Sequence, residues 1–178
     1  SVVCYGSGRI QEDYIEKYGA PYAVETALIK LADSDLACEV TRSLFNTIRQ
    51  YRESFDVYGT KLSFEWEQTA GQGPVIYSGY EDVERIEAPD YGKLLPKEIA
   101  PFTGHGVYDE EHEHTSFIQG SGHGGSHPHL THEFVRAIVE GRESAVDAKT
   151  AANWTMTGIC AHESAMKSGE RIAIPQTN

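Results

Sequence analysis

The chain reads as an α+β fold: an open, predominantly antiparallel β-sheet with helices packed on one face. Three observations predict it. Residues 22–31 and 54–66 alternate apolar and polar side chains with the two-residue period of strands, whereas beyond residue 130 the apolar period lengthens to about 3.6. A glycine-rich loop stands between the two regimes. Strands gathered first and helices last, without alternation of the two, is the pattern of a layered α+β fold.

Taken in order, Val2, Val3 and Tyr5 place a strand at the very start. No initiator methionine, signal peptide or targeting tail precedes it, so the chain is expected to be a domain cut from a longer polypeptide. Residues 11–18 predict one or two helical turns, ended by Gly19-Ala20-Pro21. Residues 22–31 follow as a strand, with Val24, Thr26 and Leu28 on one side and Ala27, Ile29 and Leu31 on the other. Asp33-Ser34-Asp35 supplies a turn, and residues 37–47 run back antiparallel with Val40, Arg42 and Leu44 facing one way. The clearest hairpin is 54–66, where Phe55 and Val57 are joined through Gly59-Thr60 to Leu62, Phe64 and Trp66. Residues 75–77 and 83–87 are expected as edge strands, and 88–114, rich in Pro, Gly and charge, as a long irregular excursion of the kind that is usually functional or poorly ordered. In the helical part, Leu130, Phe134, Val135 and Ile138 form one stripe that ends at Gly141. A second helix runs from an Asp147 cap to Lys167, with Ala151, Trp154, Ile159, Cys160 and Met166 expected inward and Gly169 at its exit. Ile172 and Ile174 are candidates for a last strand.

Composition narrows the class. At 178 residues the chain suits one domain with a proper core. Hydrophobic residues at 39% and charged ones at 24% are ordinary for a globular protein, and no apolar run is long enough to span a bilayer. A net charge of −12 repels phosphate backbones and anionic lipid, so neither nucleic acid nor a membrane is an expected partner. Three scattered cysteines, Cys4, Cys38 and Cys160, make neither a disulfide framework nor a metal knuckle, which points to free thiols in a reducing cytoplasm.

The chemistry concentrates in residues 120–137. Four of the eight histidines, His123, His127, His129 and His132, fall within ten residues, straight after four glycines. Glycine permits positive φ and close approach of backbone to a ligand, and Pro128 suits a first helical turn. The free N–H groups of a helix start attract anions and hydroxyl-bearing ligands. Gly120, Gly122 and Gly125 match a dinucleotide-binding spacing, but the segment after the helix is too short and polar to be the second parallel strand of such a unit. Three roles stay open to the histidines: metal ligands, with His129 and Glu133 one turn apart; local hydrogen-bonding groups at the helix start; or contacts to a hydroxylated substrate, the reading taken forward. Arg42, Arg49 and Arg52 with Tyr51 make a small basic and aromatic group, either a solvated sheet edge or the rim of a sugar-like ligand site. Ser126 lacks the strand-to-helix elbow of a nucleophile, and Asn153-Trp154-Thr155 is a glycosylation acceptor expected to be idle.

One set of segments resembles a known family. His123-Gly-Gly-Ser-His-Pro-His-Leu-Thr-His-Glu-Phe-Val, Ile138-Val-Glu-Gly-Arg, Asp147, Ala151-Ala-Asn-Trp and Ile159-Cys-Ala-His-Glu-Ser look like the C-terminal part of the Gfo/Idh/MocA oxidoreductases. Arg42-Ser43 and Phe55-Asp-Val-Tyr-Gly-Thr-Lys-Leu-Ser-Phe-Glu are similar to that family's sheet strands, so the likeness covers nearly the whole chain. The resemblance implies that residues 1–178 are a substrate-binding and oligomerisation domain with a dihydrodipicolinate-reductase-like fold. The N-terminal Rossmann domain, with NAD or NADP, would belong to the parent protein and be absent from this chain. It implies a sugar, polyol or related hydroxylated substrate bound by His123, His127, His129, His132, Arg42, Arg49 and Tyr51, and a dimer or tetramer formed through the open sheet face. Neither the family's Glu-Lys-Pro lysine nor its catalytic histidine is identifiable, so no residue here is assigned a catalytic role, and the chain by itself is expected to be inactive. His123-Gly124-Gly125 resembles the glycoside-acting branch, from whose Met-Asp the chain departs at Ser126-His127. The alternatives are a self-associating interaction module and a histidine-cluster metal-dependent hydrolase.

Overall fold

The computed structural model describes residues 1–43, 45, 48, 52–104 and 123–177. They form an α+β protein with antiparallel sheets, divided into two compact units, Ser1–Glu53 with Val146–Asn178 and Ser54–Ala145. Where the sequence predicts one open sheet, pairing is split between a three-stranded sheet in the first unit and a four-stranded sheet in the second. Alternation within a strand reports which residues share a face, but not which strand lies alongside.

In the first unit β1 (Val2–Arg9), β2 (Tyr22–Lys30) and β3 (Ala37–Ser43) pair in that order. The short helix α1 (Glu12–Tyr18) closes on Gly19, whose left-handed φ of 72° lets its N–H reach the Ile15 carbonyl. The register sets Cys4 beside Ala27 and Val40, and Gly6 beside Glu25 and Arg42. On that face lies α3 (Ala148–Met166), capped by Asp147, which accepts the Thr150 N–H at 2.7 Å. The helix packs chiefly on β1, with lesser contact to β2.

The helix face that meets the sheet is the expected one at Cys160 and differs elsewhere. Cys160, Ser164 and Ala165 are buried, with Ala161 and Met156 beside them, whereas Ala151, Trp154, Ile159 and Met166 are exposed. Small residues at i, i+1, i+4 and i+5 let the helix come close to Cys4 and Ala27, so size, and not hydrophobicity alone, selects the contact face. Ser164 shows how close. Its hydroxyl accepts the Cys4 N–H at 2.9 Å and donates to the Glu170 carbonyl at 2.6 Å. The expected strand at Ile172 and Ile174 is a single bridge, with Val2 and Ile172 exchanging N–H···O bonds of 2.9 Å. Ser164 and Ile172 together therefore satisfy the outer edge of β1, which would otherwise present unpaired polar groups. Asn153 is engaged too, since its Oδ1 accepts from the Thr177 N–H and hydroxyl at 2.8 and 2.9 Å.

The second unit opens with the predicted hairpin, shorter than expected. β4 (Val57–Tyr58) and β5 (Ser63–Glu65) are joined by a loop in which Gly59 N–H donates to the Leu62 carbonyl at 3.0 Å. Phe55, Phe64 and Trp66 cluster, with centroids 5.1 and 5.2 Å from Phe55 to the other two rings. β6 (Val75–Tyr77) is paired on both sides and is not the expected edge strand; β7 (Val83–Arg85) is at the edge. The expected excursion carries two 3-10 turns, Tyr91–Leu94 and Ala100–Thr103, and its remainder from residue 105 lies outside the described residues. α2 (Ser126–Glu140) ends at Gly141, φ 63°, as predicted. Its stripe of Leu130, Phe134, Val135 and Ile138 is exposed, each residue by 49–65%. Among the described residues no helix is long and apolar enough to cross a membrane.

Candidate substrate-binding site

The approach to α2 is a 3-10 turn at His123–Gly125 in which His123, Gly124 and Gly125 all have positive φ, at 39°, 65° and 96°. Glycine is needed most at Gly125, where a Cβ would stand 2.6 Å from the Thr103 carbonyl oxygen. The close approach expected toward a ligand is thus made to protein backbone. Its effect is to seat the start of α2 on the Ala100–Thr103 turn.

That seating forms an open cavity of about 320 Å³. Ile99 and Phe102 form one wall, Pro128 and Val135 of α2 another, and His127, Thr131 and His132 supply the polar groups. Positions 127, 128, 131, 132 and 135 share one helical face. His129, about 200° around the helix from His127, is half-buried and does not line this cavity. The His123 ring stands 5.2 Å from that of His127. The structure therefore groups His123, His127 and His132 and sets His129 apart. The volume lies at the small end of ligand pockets, about 300–1,000 Å³, and suits one small molecule. An apolar wall with convergent imidazoles and a hydroxyl fits a ligand with C–H faces and several hydroxyl groups, since a neutral imidazole offers one donor and one acceptor.

Glu133, which spacing places near His129 as a second metal ligand, is committed elsewhere. Arg142 donates to both its oxygens at 2.7 and 2.8 Å, and the Ala145 N–H adds a third bond at 3.0 Å. The Arg142 hydrogen bonds hold the Glu133 carboxyl down at about 2. Its role is to tie the chain beyond Gly141 back to α2. Among the described residues no group of three or more His, Cys, Asp or Glu side chains is placed to hold a metal.

Of the basic and aromatic group, Arg49 and Tyr51 lie outside the described residues. Arg42, in the first unit, stands with Nη2 at 3.5 Å from Glu25 Oε2. Sequence reasoning missed Glu25 and His162, whose Nδ1 is 2.7 Å from Glu25 Oε1. One signal was available: the side of β2 that bears Ala23, Ala27 and Ile29 also bears Glu25, and a carboxylate on an otherwise apolar face demands partners.

The glycine spacing at 120, 122 and 125 finds no dinucleotide fold around Gly125, the one of the three within the described residues. Every strand pair described is antiparallel, so the buried parallel strands that flank such a loop are not among these residues. Compared with known proteins, the chain matches no family model, no curated protein and no solved structure.

Proposed function

We propose that the chain is the substrate-binding and oligomerisation domain of a nicotinamide-dependent oxidoreductase acting on a sugar, polyol or related hydroxylated substrate. One observation carries the substrate half of this reading: His127 and His132 open onto one small cavity whose other walls are apolar. There the imidazoles orient hydroxyl groups by donating and accepting hydrogen bonds, while Phe102 and Ile99 cover the carbon skeleton and keep water from it. The parallel strands of a dinucleotide fold are not among the described residues, and in this reading NAD or NADP belongs to the parent protein. The likeness of the histidine segment and the strands to Gfo/Idh/MocA enzymes, with the dihydrodipicolinate-reductase-like fold this implies, supports the assignment to an oxidoreductase. Three free thiols, Cys4, Cys38 and Cys160, accord with a cytoplasmic protein.

Assembly is the second half of the proposal. Tyr5 and Leu28 are 64% and 62% exposed, and by strand alternation they occupy the sheet face opposite Cys4 and Ala27, away from α3. Exposed apolar side chains there suit a homo-oligomer contact. The substrate reading is tested by calorimetric titration of a neutral polyol such as xylitol into the chain and into His127→Ala and His132→Ala variants. Saturable binding that both variants weaken at least about fivefold is expected from losing one net hydrogen bond of ~1 kcal/mol. Unchanged affinity in both would refute it.

A further inference from the structure

The three-stranded sheet carries a second cleft, of about 610 Å³, beside α3 on the face the helix only partly covers. Val40, which shares that face with Ala27, is 53% exposed. At one end of the cleft is a charged cluster that the histidine cavity does not involve. Glu25 is only 9% exposed, and a carboxylate so enclosed must be hydrogen-bonded or paired. Each of its oxygens has one such partner, His162 Nδ1 at 2.7 Å and Arg42 Nη2 at 3.5 Å. Because Arg42 and His162 approach the two oxygens of a single carboxylate, they converge.

Both partners keep unused capacity. His162 meets Glu25 Oε1 through Nδ1, which leaves its Nε2 to hydrogen-bond a ligand. The Arg42 contact is long and single, and a guanidinium has five N–H donors. Their side chains are 40% and 41% exposed, open to a ligand. The rest of the cleft is largely apolar, with aromatic walls from Tyr18, Tyr22 and Phe45. Gly6 matters here: a Cβ at that position would lie 2.2 Å from the Tyr22 ring, so glycine lets the ring lie flat on the sheet.

We infer that this cleft binds a hydroxycarboxylate of the sugar-acid class, its carboxylate on Arg42, a hydroxyl hydrogen-bonded to Nε2 of His162, and a C–H face against the aromatic wall. Glu25 stands beside Arg42, so the site takes a monoanion better than a phosphate dianion, whose second charge meets the Glu25 carboxylate. A neutral sugar leaves the Arg42 fork unused, and a simple carboxylate leaves His162 Nε2 unused. Cys4 also lines the cleft, but burial, followed by the Glu25 carboxylate, pushes its thiol up and keeps it protonated.

The experiment is a calorimetric titration of the chain with D-glucuronate, set against D-glucose, which has hydroxyls only, and cyclohexanecarboxylate, which has the carboxylate only. In the chain carrying His127→Ala and His132→Ala together, which removes the imidazoles of the polyol cavity, glucuronate is expected to saturate one site and to bind at least about tenfold tighter than either control, the span of one charge-assisted hydrogen bond. Arg42→Gln should reduce glucuronate to the level of glucose, and His162→Gln should reduce it toward cyclohexanecarboxylate. If Arg42→Gln does not fold, Arg42→Lys, which keeps the charge and loses the fork, should still weaken glucuronate severalfold. Because those two substitutions remove the imidazoles of the polyol cavity, the glucuronate site that remains in their presence is separate from it. The inference is overturned if glucuronate shows no saturable binding, binds no tighter than glucose, or binds equally well to the Arg42 variants.

Discussion

Replacing Ser164 with alanine removes a single oxygen, yet it should be among the most damaging substitutions in the chain. Ser164 is fully buried. Its hydroxyl takes the Cys4 N–H at 2.9 Å, at the edge of β1 where the bridge to Ile172 has ended, and donates to the Glu170 carbonyl at 2.6 Å. Among the described residues no strand lies on that side of β1 to accept the Cys4 N–H instead, and an orphaned buried donor costs about 1–3 kcal/mol. The Glu170 carbonyl, on an exposed residue, recovers most of its loss from water. The net effect is about 2 kcal/mol, which at ~2–4 °C per kcal/mol for a chain of this size lowers the melting temperature by about 4–8 °C. Thermal unfolding followed by circular dichroism measures this, with Ser7→Ala on exposed β1 surface as the control expected within about 0.5 kcal/mol of the parent. Amide exchange adds a local readout, because the Cys4 N–H should lose protection before its neighbours. A Ser164→Ala protein that melts within about 1 °C of the parent, with Cys4 still protected, would refute the assignment of Ser164 as the group that completes this edge.

Further expectations concern acid stability and assembly. Glu133 is held at about 2, chiefly by hydrogen bonds from Arg142. A carboxyl depressed by folding lends stability that is present above its ordinary value, about 4.3, and is lost as the pH falls through its folded value. Melting temperature should therefore fall between about pH 4.5 and pH 2, and Glu133→Gln should flatten that part of the profile; an unaltered profile would show that the Arg142 clamp adds nothing to folding. For assembly, Leu28→Lys places a charge on the sheet face opposite α3. Sedimentation should show an oligomer in the parent and a monomer in this variant, and an identical mass for both would remove that face from the proposed interface.

What could be read from the sequence was local. Gly19, Gly141 and Asp147 were all placed by cap chemistry that involves only a few neighbouring residues. The 54–66 hairpin was legible for the same reason, since its turn and alternation sit in one short stretch. Where long-range partners decide, the reading failed. Trp154, Ile159 and Met166 are more hydrophobic than Ser164 or Ala161, but the helix meets a sheet surface made of Val2, Cys4 and Ala27, against which only small residues come close. The division into two sheets depends on pairings that alternation does not encode. Among the histidines, helical geometry alone separates His129 from His127 and His132, and counting their density in sequence does not. Glu25 and His162 are 137 residues apart, and no spacing rule joins them.

The central claim is that His127 and His132, and not the histidine run as a whole, form a surface for hydroxyl groups. The most direct measurement follows the imidazole carbon-bound proton resonances of the chain by heteronuclear NMR while xylitol is added. His127 and His132 should shift together along one saturable isotherm, with His129 and His162 still. Equal movement of every imidazole, or none in His127 and His132 at saturating polyol, would contradict the account.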